Sequence, residues 1–224
     1  EDVAFSKNGI YACEDVAIVD ENGKVTPVGV GTTTITVTTI NGVTASCNVK
    51  VTSTINLNKT TLTLEGNAME NLVATVAPSG TTIIWSSSNA GVATVNTTGT
   101  VTAVGVGTTT ITATTIDGAS VSCEVIVESK VILDKPELTI TKGESEILTA
   151  TVAPNESEAV TWTSSNEAIV TVDATGAVMG VGVGTATITA TLADGTNAIC
   201  KVTVLAVIIS RPLVGSSKII NFGS

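Results

Sequence analysis

Three of the four cysteines, Cys47, Cys123 and Cys200, recur at spacings of 76 and 77 residues. A thiol can pair with another thiol, or pack as a small hydrophobe. One cysteine per repeat cannot bridge two strands of its own domain, so the spacing predicts three buried thiols. Cys13 lies out of that register. It could pair with Cys47 or cross-link copies of the chain, and four cysteines allow three complete pairings. Other reactive chemistry is sparse. The chain has no histidine, which removes the commonest general base and the commonest metal ligand. Glu144, Glu146, Glu156 and Glu158 are scattered as on a solvated loop face, whereas a glycosidase needs two carboxylates converging on a cleft. The Gly-x-Gly turns at 29–31, 105–107 and 182–184 lack the helix that follows a phosphate loop. Asn58, Asn96 and Asn155 begin Asn-x-Ser/Thr triplets, which matter only in a glycosylating cell. A Lys–Asn isopeptide bond usually needs a buried acid among aromatics, and aromatics are 2% of this chain. These residues name no catalytic group, metal site or cofactor, and the expectation is a protein that is not an enzyme.

The elements that position the cysteines repeat with them. Val101–Thr114 reads VTAVGVGTTTITAT, and near-copies stand at 25–38 and 178–191. A fixed period of this size marks an array of similar domains. Each copy is two β runs rich in Thr, Val and Ile, joined by a glycine turn. Upstream, Ile55, Leu57, Leu62 and Leu64 match Val131, Leu133, Leu138 and Ile140, an alternation that marks strands with one buried face. Val-Ala-Pro follows at 76–78 and 152–154, and the proline ends a strand. Trp85 and Trp162 come next, one per repeat. Their alternation with Ile83 and Val160 favours the core over a surface sugar-binding role. About seven short strands per repeat describe an immunoglobulin-like sandwich.

Composition bounds the function. Hydrophobic residues are 43%, so Val, Ile, Thr and Ala fill the core, and the net charge of −10 makes nucleic acid and anionic lipid poor partners. No apolar run approaches the ~20 residues needed to span a membrane. The sequence opens on Glu1, not Met, as a processed product or a piece of a longer protein would.

The run W-S-S-S-N…V-A-T-V…G-T-V-T-A-V-G-V-G-T-T-T-I-T-A-T…C-E-V-I-V resembles the bacterial immunoglobulin-like group 2 domain, the intimin/invasin-type module. The resemblance covers residues 52–204 in two copies. It implies a spacer in bacterial surface proteins, adhesin stalks or phage virion proteins, and it carries no catalytic residues over.

The organisation expected is all-β: tandem Ig-like sandwiches at 52–127 and 128–204, and a third split between the chain's ends. Residues 1–51 match only the back half of a repeat, without a Trp, so Phe5 or Tyr11 is the candidate to fill its place. Residues 205–224 resemble the opening strands of another repeat. A sandwich without opening strands has an unpaired edge that invites a strand. The sharpest expectation is head-to-tail strand donation into a filament. The donor residues would be Val207, Ile209, Val214, Ile220 and Phe222, and the acceptor residues Val16, Val19, Cys47, Val49 and Val51. The partner is then the chain itself, outside the cell or on its surface, with a host-surface or envelope ligand as a further candidate and no nucleic acid or membrane insertion. The alternatives are a fragment of a surface stalk or phage particle, and closure of the tail onto residues 1–51 of the same chain.

Overall fold

The computed structural model describes residues 4–5 and 10–207; among them it is all β-strand, turn and loop, with no helix. Ile209, Val214, Ile220 and Phe222 lie outside the described residues. Two compact units divide the chain, the first comprising Glu1–Lys130 and Val152–Ser157, the second Val131–Thr151 and the residues from Glu158 onward.

The middle sandwich sets the plan. One sheet runs in the order Ile83–Ser87, Gly107–Thr115, Ser120–Glu128, Thr61–Glu65. The facing layer holds Ala93–Val95, Thr100–Ala103 and Met69–Asn71 in one sheet, and Ala74–Ala77 with Thr54–Leu57 in another. Thr61–Glu65 lies parallel to Ser120–Glu128, setting Leu62 beside Val125 and Leu64 beside Val127. All four residues are buried. Along Thr61–Glu65 buried and exposed residues alternate strictly, because successive strand side chains point to opposite faces. Trp85 packs, partly buried, against this core, as the alternation predicts. The repeat has nine strand segments where about seven are expected, and one of the extra two arises where Leu72 and Val73 interrupt a strand: Met69–Asn71 pairs with Thr100–Ala103, and Ala74–Ala77 pairs with Thr54–Leu57.

The second unit repeats the scheme, with Glu137–Thr141, Asn197–Leu205, Gly184–Thr191 and Thr161–Ser164 in one sheet. Trp162 packs on a core of Leu138, Ile140, Val178, Ile188, Cys200 and Val202.

The structure explains why the glycine turn recurs. Val104 and Gly105 both donate their N–H to the Val92 carbonyl, and a Cβ on Gly105 would lie 2.6 Å from the Gly91 carbonyl oxygen. Gly29 against Asp15 and Gly182 against Ala168 meet the same obstruction. A side chain at this position would push the two turns apart.

Residues 10–51 build only part of the plan. Gly31–Thr38 pairs with Thr44–Val51, and Ala17–Val19 with Val25–Pro27. Ile10 faces Val37 in the register that Trp85 holds opposite Ala113. The register therefore gives the tryptophan position to Ile10 and not to Phe5 or Tyr11, which pair with each other. Thr44–Val51 is the last strand of its sheet. Among the described residues no strand lies where Thr61–Glu65 lies in the middle sandwich.

Candidate functional site

The consequence of that bare edge is read from equivalent residues. Cys123 and Cys200 are both 0% exposed, whereas Cys47 is exposed. Val25 is 41% exposed where its counterparts Val101 and Val178 are 0%, and Val37 is 45% exposed where Ala113 and Ala190 are 0%. The side chains keep the inward register, but what covers them elsewhere is missing among the described residues. This corrects the expectation of three buried thiols: in the middle sandwich a further strand, Thr61–Glu65, lies beside the cysteine strand, and among the described residues Thr44–Val51 has no such neighbour. Of the other acceptor candidates, Val16, Val19 and Val49 are half-buried and Val51 is 8% exposed. Val25 and Val37, on two different sheets, border the same open core, and their alignment with Val101 and Ala113 is the sequence signal that marks them as core positions. Val207, the one donor candidate described, is 57% exposed. All four cysteines are free thiols, Cys13 half-buried and Cys47 exposed, with no bond between them. Burial pushes the Cys123 and Cys200 thiols above their usual range.

A second feature escapes a sequence reading because its partners are 64 residues apart. Ser53, just after Thr44–Val51, donates its N–H to Asp117 Oδ2 at 2.8 Å and its hydroxyl to Asp117 Oδ1. Thr115 also donates to Asp117 Oδ1, at 2.7 Å. Ser53 and Thr115 are buried at 6% and 2% exposure. The connection leaving residue 51 is therefore tied at once to the hairpin between Gly107–Thr115 and Ser120–Glu128. The hydroxyl and N–H of Ser53, then the Thr115 hydroxyl, hold the Asp117 carboxyl down from 3.8 to about 2. A depressed folded-state pKa stabilises above the unfolded value and loses that contribution as pH falls through the folded one. The urea midpoint of the wild type should therefore fall between pH 4 and pH 2 through this group, and in Asp117→Asn that part of the fall should vanish. Parallel urea titrations of the two proteins across that range check it.

Among the described residues no three His, Cys, Asp or Glu side chains gather as a metal site would require.

Residues 50–125 and 128–202 match the bacterial Ig-like domain (group 2). The chain belongs to this family. An uncharacterized protein of Clostridium acetobutylicum is 36% identical over 169 residues, covering 70% of this chain and 18% of that protein. The Ig-like virion protein of Serratia phage KSP90 is 39% identical over 105 residues, 42% of this chain and 41% of its own length. The minor capsid protein of Enterobacteria phage T3 is 43% identical over 77 residues, 34% of this chain and 18% of its own length. The chain thus spans less than half the length of each of these relatives.

Several side chains common to the two Ig-like repeats serve the fold. Ser87 and Ser164 each donate a hydroxyl hydrogen bond, 2.7 Å, to the carbonyl six residues on. Lys59 pairs with Glu70, and Lys135 with Glu146 at 2.5 Å. Both ion pairs are more than a third exposed, the setting in which such pairs add roughly 0–1 kcal/mol. Asn96 in one repeat and Asp173 in the other accept two backbone N–H groups at the same turn.

Proposed function

We propose that this chain is a non-catalytic spacer of a phage particle or bacterial surface protein, working outside the cell. The observation that carries this reading is the repeated sandwich itself: two copies on one plan, whose recurring polar side chains close turns and stitch strands. The matches to a virion protein and a minor capsid protein support it.

The open face of residues 10–51 favours a second reading. Cys47, Val25 and Val37 are core positions left exposed, and covering their remaining apolar surface is favourable by roughly 25 cal/mol per Å². Opening strands docked there would complete the sandwich. Residues 205–224 of another copy would make a head-to-tail polymer, donating Val207, Ile209, Val214, Ile220 and Phe222. Opening strands supplied on the N-terminal side would cover the face equally and leave a spacer. The solution mass of the chain, with and without residues 205–224, separates these. Polymers that disappear on deletion, with Cys47 protected from alkylation only in the polymer, support strand donation. A monomer in both forms supports the spacer.

A further inference from the structure

The interruption at Leu72 and Val73 leaves a cleft in the middle sandwich. Its volume is about 350 Å³, and its lining includes Asn71, Thr81, Ile83, Trp85, Thr97 and Thr98. It is small for a ligand site, which typically occupies roughly 300–1,000 Å³. We propose that this cleft binds one ring of a neutral saccharide.

The lining selects the ligand class. No lining residue carries a charge, so a charged ligand would lose hydration without gaining a counter-charge. A wholly apolar ligand would strand the polar groups around the rim. Asn71 Oδ1 already accepts from Thr100, while the Asn71 amide NH2 and the Thr97 hydroxyl have no hydrogen-bond partner among the described residues. The half-buried Trp85 and Ile83 supply an apolar wall. A sugar ring has a C–H face for such a wall and hydroxyls for the rim. Aromatic rings carry that kind of contact well, having a large apolar body.

The other repeat is an internal comparison. Leu148, Val160 and Trp162 preserve the apolar wall, but Asn71, Thr81 and Thr97 are replaced by Ile147, Glu158 and Ala174. The shared residues are what the sandwich requires. Asn71, Thr81 and Thr97 belong to the first of the two complete repeats, and their side chains enter its hydrogen-bonded framework only through the Thr100 contact to Asn71 and a Thr81 hydroxyl bond to the Pro78 carbonyl, whereas Thr98 is held by Asn96 as Thr175 is by Asp173.

The test titrates the whole chain, labelled with nitrogen-15, with the methyl glycosides of glucose, galactose and N-acetylglucosamine. A single ring with few polar contacts should bind with a Kd of about 1 mM. The Trp85 indole N–H signal should move on titration and the Trp162 signal stay still. Asn71→Ile with Thr97→Ala gives this repeat two of the other repeat's residues, so it should keep the folded spectrum and weaken binding at least tenfold. The proposal fails if neither signal moves at about 50 mM sugar, well above that Kd. It also fails if both tryptophans move alike or if the double variant binds as the wild type does. Displacement of the Ile83–Ser87 backbone signals by an extended peptide, with none by the sugars, would assign the cleft to a peptide and overturn it too.

Discussion

In the native chain Cys47 should react with iodoacetamide at least ~10³-fold faster than Cys123 or Cys200, because reagent reaches a buried thiol only through an opening that costs a large part of the global stability. Cys123 and Cys200 are 0% exposed, and burial also raises their pKa, so in the closed state they are both out of reach and poor in thiolate. The Cys123 thiol lies against the Glu124 carbonyl at 3.5 Å, within the buried core of the middle sandwich. Cys47, in the same register, is exposed. Peptide-resolved mass spectrometry of the alkylation time course reads all three sites in one sample. In concentrated urea the three rates should converge. A native ratio near one would mean that the face around Cys47 is covered in solution.

Gly99→Ala should destabilise the middle sandwich by about 3–5 kcal/mol, the sum of left-handed backbone strain and overpacking. Gly99 sits at φ 85°. A Cβ there would strike the Leu72 carbonyl oxygen and lie 2.8 Å from Trp85 Cζ2. Neither can retreat easily, since the Leu72 N–H is bonded to the Gly99 carbonyl at 2.9 Å and the indole is wedged against the core. Gly118 is the control. Its φ is 92°, but a Cβ would meet nothing within 4 Å, so Gly118→Ala should cost only the backbone strain, about 1–2 kcal/mol. Urea unfolding of both variants, followed by tryptophan fluorescence, measures the difference. Equal costs would show that the indole is not packed as described. Gly176, with the same obstruction from Leu148 and Trp162, should behave as Gly99 does.

The repeat was legible in the sequence because its determinants are local. Alternation in Leu62 and Leu64 fixes which side chains share a face. Gly29, Gly105 and Gly182 recur because a turn with a carbonyl against it has room for no side chain. The position of Trp85 beside Ile83 was enough to place it at the core. Alternation assigns a face, but it is silent on what lies across from that face. Cys47 and Cys123 therefore look alike in the sequence and differ from exposed to 0% in the fold, since burial depends on a partner strand that the sequence of Thr44–Val51 does not encode. The Ser53–Asp117 tie and the cleft beside Trp85 were hidden for the same reason. Each depends on groups far apart along the chain that meet only when the sheets stack: a linker serine with a hairpin carboxylate, and an interrupted strand with the turn at Thr97 and Thr98. The strands, their inward faces and the period of the array follow from residue order alone. Which inward faces are covered emerges in the fold, because coverage is a property of packing between elements.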